Sequence, residues 1–421
     1  MEKSWLQGQG IGCWKPLNVM SMKLGILMVT QNFPPDIFGN ASRIYDLSRN
    51  LVKLGAVVTV LSPHPTFPFG SFKRKWKLHS HRAIDGIENI NIFAWQPTNS
   101  SPSFMSRMGY YLTFPFHAVL WALIKRKEYD VIVTTAPPIF TGITGYFVKK
   151  ITGKKWFLDV RDLWIDASIS LGFIKKNSYF EKLSRKYEAF WYGICDEIMV
   201  TSEEIKTSIM ETYDISPGKI KVISNGVDTK AFKPLNVKKN RIIYSGLLGT
   251  AQDLEKVILA VKKINEHISL EFYLVGDGDK RGDLEKLVRK ERLEDKVIFT
   301  GLLAREDLPG LIAESCIGIV PLKKLQSLQY AIPTKAYEYM SCGIPFVGTG
   351  KGEIEHLAEE SKAGLVADNS VDSIYEKIVY LLENEKLREE MGQNGRAFVE
   401  KYNDRKKIAE KLLQSIEKVV A

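Results

Sequence analysis

Lys335 and Glu338 stand three residues apart in the stretch 332–347, which Pro333 opens and Gly343 and Pro345 close. Positions three apart share one face of a helix. A lysine in a first helical turn opposes the helix dipole, so an anion at that end is one reason for it. A carboxylate one turn further in is placed to accept bonds from a ribose diol. An internal Lys–Glu ion pair accounts for the same spacing. Three other segments carry loop chemistry. Residues 31–40 hold Pro34, Pro35 and Gly39 ahead of a helical pattern. They either present backbone N–H groups to an anion or make a tight structural turn. Residues 245–250 set Gly246 and Gly249 between a strand and a helix, where a phosphate-cradling turn would lie, although the pattern is neither G-x-G-x-x-G nor a P-loop. Gly276 and Gly278 fit a ligand loop or a plain turn equally well.

These loops punctuate an alternation of apolar runs and amphipathic helices. Residues 23–30 read as a buried parallel strand. The 31–40 loop follows, then a helix with Ile44, Leu47, Leu51 and Leu54 at helical spacing, a stop at Gly55, and a strand at 57–61. Further strands are expected at 87–95, 131–134, 156–160 and 197–201, with helices at 104–127, 139–150 and 180–192. The 104–127 helix is apolar and aromatic nearly all round, and residues 161–168 read as a loop. Ser202 ahead of Glu203 and Glu204 is an N-cap with acids in the first turn. In the second half, strands at 241–244, 270–275, 297–300, 317–320 and 345–347 alternate with helices at 253–266, 282–292, 305–313, 334–341 and 371–382. The pattern is α/β, two doubly wound parallel sheets facing across a cleft. The loops of interest fall at carboxyl ends of strands, where such sheets bind ligands. The expected organisation is a disordered extension over 1–22, a Rossmann-like domain over 23–232 and a second over 233–400. The terminal segment 401–421 is an amphipathic helix free to pack back on the first domain.

Of the 421 residues, 45% are hydrophobic and 26% charged, which excludes disordered, collagen-like and disulfide-scaffold chains. The formal charge of +10 is uneven: residues 1–232 hold 29 basic and 19 acidic side chains, and 233–421 hold 30 of each. A basic half calls for an anionic partner, and nucleic acid, membrane surface and phosphorylated substrate are the candidates beside plain solubility. The scattered Cys13, Cys195, Cys316 and Cys342 read as reduced thiols with no metal site. No apolar run reaches the ~18–20 residues of a membrane span. The first residues show no signal-peptide core, so a cytoplasmic location is expected.

The segment Pro333-x-Lys335-x-x-Glu338-Tyr339-Met340-x-x-Gly343-x-Pro345 resembles the donor-binding stretch of glycosyltransferase family 4, whose fold is GT-B. Other matches fall in order: Phe33-Pro34-Pro35 with Gly39, Val160-Arg161-Asp162-Leu163-Trp164, Ser224-Asn225-Gly226-Val227-Asp228 with Phe232, and Val275-Gly276-Asp277-Gly278. The resemblance spans roughly residues 23–400. Its Pro-x-Lys-x-x-Glu-Tyr-Met and Arg-Asp-Leu-Trp elements look most like the subgroup of colanic-acid and O-antigen N-acetylfucosamine transferases. The resemblance implies that Glu338 holds the nucleotide ribose, that backbone near Gly39 and Pro333 approaches the diphosphate and sugar, and that Leu302 meets the base.

Two departures matter. The first Glu of the family's Glu-x7-Glu pair would fall at Tyr330. Where the family places an Arg and a Lys after the 241–245 strand, this chain has Gly246-Leu-Leu-Gly249. By charge logic Lys335 takes over the leaving diphosphate, supported by the glycine-loop amides, with Arg161 second and reaching from the other domain. The implied chemistry is retaining transfer from a UDP-sugar, without an obligatory metal, to a lipid-linked or polysaccharide-precursor acceptor. Asp162 is the acceptor-side carboxylate, or else it pairs with Arg161 or caps the next segment. Residues 103–127 and the basic run Lys73–Lys77 read either as a membrane face on an anionic inner surface or as a core helix with a solvated end. The rivals are another GT-B enzyme, such as a nucleotide-sugar epimerase or a transferase to a soluble acceptor, and a non-enzymatic membrane-surface or nucleic-acid binder. No nucleic-acid motif is present.

Overall fold

A computed structural model describes residues 23–36, 39–99, 102–170, 172, 174–324, 329–330 and 332–421. The expected extension over 1–22 lies outside them. The first sheet contains β1 (Gly25–Val29), β2 (Val57–Pro63), β3 (His79–Ile84), β4 (Ile87–Ile92), β5 (Val131–Ala136), β6 (Lys155–Val160), β7 (Glu197–Val200) and β8 (Ile220–Val222). Its order is β3-β4-β2-β1-β5-β6-β7-β8. All neighbours run parallel except β3 against β4. Sequence patterning missed β3, although Asp85-Gly86, both at positive φ, is the two-residue hairpin turn that builds it.

Helices α1 (Gly39–Lys53), α2 (Phe104–Ile124), α3 (Gly142–Thr152), α4 (Trp164–Ser170), α5 (Tyr179–Ile194) and α6 (Glu203–Tyr213) connect these strands. Strands apolar on both faces need cover on both. Leu27 and Val29 pack beneath α2, α3, α5 and α6 through Phe114, Val148, Trp191 and Ile205. Ile26 and Met28 pack beneath α1 through Ile44, Leu47 and Leu51. Two expectations shift here. The α2 helix stops at Ile124, three residues short. The stretch read as a loop at 161–168 turns helical from Trp164, and Arg185 of α5 holds that short helix through Asp166 at 2.7 Å. Ser202 does cap α6, its hydroxyl accepting from the Ile205 N–H at 3.3 Å.

The second sheet contains β9 (Arg241–Ser245), β10 (Glu271–Val275), β11 (Val297–Gly301), β12 (Ile317–Val320), β13 (Phe346–Thr349) and β14 (Gly364–Ala367), in the order β11-β10-β9-β12-β13-β14 and wholly parallel. Its helices are α7 (Leu254–Asn265), α8 (Arg281–Lys290), α9 (Leu308–Ala313), α10 (Thr334–Ser341), α11 (Glu353–Ser361), α12 (Val371–Glu383) and α13 (Glu385–Phe398). The strand order reverses between β9 and β12, which opens a crevice at their carboxyl ends. Patterning missed α11, β14 and α13. The α13 helix carries Gly392 in its interior, which costs helix propensity but lets it approach the carbonyl of Gly343.

The chain then returns to the first sheet. Helix α14 (Arg405–Val420) lies against α1, and its Ile408, Ala409, Leu412 and Ile416 complete the core beneath Ile26 and Met28. One buried carboxylate ties this crossing together. Asp46 of α1 is 1% exposed. It accepts from Arg405 at the start of α14 and from Arg305, after β11, at 2.6 Å through both oxygens. Arg49, one turn on, pairs with Asp228 at 2.6 Å in the segment joining the sheets. Removing one partner of a buried pair typically costs 3–5 kcal/mol, because the other charges stay behind. Asp46→Ala is therefore expected to lower unfolding stability by about 3–5 kcal/mol in urea titration. A loss under about 1 kcal/mol would show that the network carries no structural load.

Candidate functional site

Helix α10 starts beside the β9/β12 switch point, with Pro333 as its extended N-cap. Lys335 lies in its first turn and Glu338 one turn on. The Lys335 ammonium sits over the Tyr244 ring, 3.7 Å from its centroid. Gly246 makes room for it: a Cβ there would stand 3.1 Å from Lys335 Nζ, and the residue's φ of +139° suits glycine. Burial pushes the Lys335 ammonium down to about 7, against the opposing pull of Glu338. Burial raises the Glu338 carboxyl, against Arg405, Lys335 and Arg305. Among the described residues nothing donates a hydrogen bond to that carboxylate. Both side chains keep some solvent contact while protein surrounds them, the condition of residues on a cleft floor.

The glycine loop does something other than cradle phosphate with every amide. Gly246 N–H donates to the Val275 carbonyl and Leu248 N–H to the Asp277 carbonyl, both at 2.9 Å. Those two amides are used up inside the protein. Gly276, at φ +134°, packs so tightly on the Gly246 carbonyl that a Cβ would fall 1.9 Å from it. Gly249 is the N-cap of a short 3-10 turn. The glycines here lock two loops together and clear a berth for Lys335. Leu302, just past β11, is exposed at the rim, close in sequence to Arg305.

The other half of the cleft belongs to the first sheet. Gly39 begins α1 at the carboxyl edge of β1. Arg161 is buried and lies beside Asp159, which also pairs with Arg43 at 3.4 Å. Burial pulls the Arg161 guanidinium down to about 10, Asp159 opposing the shift and Arg43 adding to it. Arg43 also binds the carbonyls of Ile223 and Ser224 at 2.7 and 2.8 Å. Asp162 faces the open side and lines a small pocket with Trp164, Glu188, Trp191 and Tyr192. Protein crowded around it raises its carboxyl, an effect its exposure to water weakens; Arg161 pulls it down and Asp159 adds to the rise. Both charges that shift Asp162 belong to the first sheet.

Tyr330, where the Glu-x7-Glu pattern would put an acid, packs against the first-sheet core, and its carbonyl accepts from the Ser202 hydroxyl at 3.1 Å. Sequence reading missed Asp46 and its partners Arg305 and Arg405, and the two arginines bring positive charge close to Glu338. Their contacts span 259 and 359 residues, and no local pattern marks them. Among the described residues no group of three or more His, Cys, Asp or Glu is arranged to hold a metal ion.

Two family models match in succession: Glycosyltransferase Family 4 over residues 39–231 and Glycosyl transferases group 1 over 228–398. The MMP alpha-(1->4)-mannosyltransferase of Mycolicibacterium hassiacum is 25% identical over 245 residues, 55% of this chain. The chain spans only 58% of that relative's length. A phosphatidylinositol N-acetylglucosaminyltransferase component of Arabidopsis thaliana is 23% identical over 369 residues, 86% of this chain and 75% of its own. Among solved structures, Anabaena HepE in complex with UDP and glucose has a TM-score of 0.70 at 16% identity, covering 94% of this chain and 99% of that one. The chain is a glycosyltransferase of the GT-B fold, family 4 in its first half and group 1 in its second.

Gly246→Ala tests the berth directly. The added methyl meets the Lys335 ammonium and strains φ. Sugar-transfer rate is expected to fall at least about tenfold, the equivalent of ~1.4 kcal/mol in the barrier. Wild-type rates in a folded variant would mean that Lys335 does not need this position.

Proposed function

We propose that the protein is a retaining glycosyltransferase that moves a sugar from a UDP-linked donor to a lipid-linked or polysaccharide-precursor acceptor. The observation that carries this reading is Lys335 in the berth of Gly246, with Glu338 one turn away, at the switch point of the second sheet. In this reading the Glu338 carboxylate accepts from the ribose hydroxyls, with Arg405 and Arg305 favouring its charged form. Leu302 meets the base, and backbone at Gly39 and Pro333 borders the diphosphate and sugar. Lys335 neutralises charge as it builds on the departing diphosphate, the step where preorganised charge lowers a barrier most. Asp162 orients the acceptor hydroxyl from the other half-site and helps to take its proton. Arg161, buried beneath, positions Asp162 rather than touching substrate.

A UDP donor is supported by the HepE neighbour in complex with UDP and glucose, and a lipid acceptor by the name of the Arabidopsis relative. The motifs favour the colanic-acid and O-antigen N-acetylfucosamine subgroup. The reading places the protein on the inner membrane face through the surface of α2 and the basic run Lys73–Lys77. No described helix is long and apolar enough to cross a membrane.

Calorimetry with UDP, GDP and ADP should show one clear preference, for UDP. Glu338→Ala should weaken that binding by roughly tenfold or more, the loss of a charge-assisted bond pair; unchanged affinity moves the ribose site elsewhere. The pH profile tests Lys335. Its charge is present below about 7 in the free enzyme and lost above it. Transfer measured as kcat/KM should therefore decline as pH rises through 7. Bound diphosphate favours the charged form, so the limb in kcat should lie higher. Lys335→Arg keeps its charge throughout and should abolish the limb. An alkaline limb that persists in this variant belongs to another group.

A further inference from the structure

Helix α5 carries apolar side chains on both faces. Its buried face holds Trp191 and Tyr192 beside Glu181, Ser184 and Glu188, while Tyr179, Leu183, Tyr187 and Phe190 face solvent. Tyr179 is 81% exposed and Tyr187 49%. A surface helix ordinarily keeps its outer face polar. The inward carboxylates have local partners: Glu181 accepts from Arg185 at 3.0 Å and from the Asn177 N–H at 2.5 Å, and Glu188 accepts from the Tyr213 hydroxyl. Tyr187 and Phe190 lean on Trp191, ring centroids 6.3 and 5.0 Å away, yet all four outward side chains keep a free outer side. At 3.6 residues per turn they fall within a stripe about 80° wide. Lys182 and Lys186 run along one edge of it, and among the described residues neither has an ion-pair partner.

The stripe continues sideways. Phe190 touches Tyr146 of α3, ring centroids 5.4 Å apart, beside exposed Phe147 and Ile151. The α3 helix meets α2 through the Thr144 hydroxyl and the Pro115 carbonyl at 3.2 Å, and α2 exposes Phe116, Leu120 and Ile124. Of 23 exposed large hydrophobic side chains in the described chain, 12 lie on these three helices. Scattered exposed apolar residues need no explanation, whereas a concentration on one face marks an interaction surface.

We propose that α2, α3 and α5 form one docking face that lies on an anionic bilayer, with α5 as its contact nearest the acceptor side of the cleft. The chemistry favours lipid over a second copy. A two-fold contact sets a patch against itself, which would bring the unpaired lysines of α5 against their own like. A bilayer takes both parts: the aromatic stripe enters the headgroup boundary and the lysines meet anionic lipid. The inner face of α5 supplies Glu188, Trp191 and Tyr192 to the pocket that Asp162 lines. The lipid surface therefore lies about one helix diameter, ~10–12 Å, from the acceptor half-site. A lipid-linked acceptor reaches Asp162 without leaving the membrane. The inference builds on the lipid-linked acceptor proposed above and is tested independently of the reaction.

The full chain is floated with vesicles of phosphatidylcholine alone and of phosphatidylcholine with phosphatidylglycerol. Wild type should float with the anionic vesicles. Tyr179→Ser/Leu183→Ser/Tyr187→Ser should lose roughly tenfold or more in vesicle affinity, since each buried apolar group contributes to partitioning. Lys182→Gln/Lys186→Gln leaves the apolar stripe intact and should remove most of the preference for anionic vesicles. Circular dichroism and UDP affinity should match wild type in both variants. Undiminished flotation of both variants overturns the proposal. So does a wild-type dimer in light scattering that the triple variant breaks while vesicle binding stays the same. Failure of wild type to bind UDP, with flotation intact, would count against the proposed reaction and leave the docking face standing.

Discussion

A single buried carboxylate holds the two sheets in register. Asp46 sits almost fully out of water, and an isolated charge there would cost several kcal/mol. It is tolerated because Arg405 and Arg305 converge on it, from the start of α14 and from the second sheet. Each arginine alone would be an ordinary ion pair. Together they join the helix behind β1, the second sheet and the returning C-terminal helix at one point. The cleft exists as a defined space because this point is fixed. The same arginines supply positive potential to Glu338, so the structural junction also tunes the half-site proposed for the donor.

Around that junction the chemistry divides by charge and by wall. The second sheet contributes a lysine that burial makes easy to deprotonate, held over Tyr244 where Gly246 leaves room. The first sheet contributes Asp162, raised by the protein crowded around it and steadied by Arg161. The excess positive charge of residues 1–232 lies with the sheet that carries α2, α3 and α5, whose outer faces are apolar as well as basic.

Much of the architecture was legible because parallel strands and amphipathic helices write their periods into sequence. The strands of the second sheet other than β14 fell close to where apolar runs placed them, and the α6 cap followed from Ser202 and its acids. The failures share one cause, tertiary contact overriding local pattern. Helix α4 reads as a loop until Arg185 of α5 fastens Asp166. Helix α13 reads as irregular because Gly392 lowers helix propensity, and only the approach to Gly343 shows why it is there. In α5 the amphipathic period was visible, but the period says only that two faces differ. That Glu181 and Glu188 turn inward depends on Arg185, Asn177 and Tyr213.

The sequence by itself determined the fold class, the cleft between two sheets and the placing of Lys335 and Glu338 on one helix, since all three rest on short-range spacing. It also marked the missing basic pair after β9 as a gap in charge. Only the tertiary structure decided what Gly246 is for. Its amide is used by Val275, and its missing side chain is the space that Lys335 occupies. Only the tertiary structure brought Asp46, Arg305 and Arg405 together from positions hundreds of residues apart. Spacing along a chain reports neighbours within a helix or strand. Charge compensation in a buried junction depends on which distant segments share one low-dielectric volume, and that is set by packing.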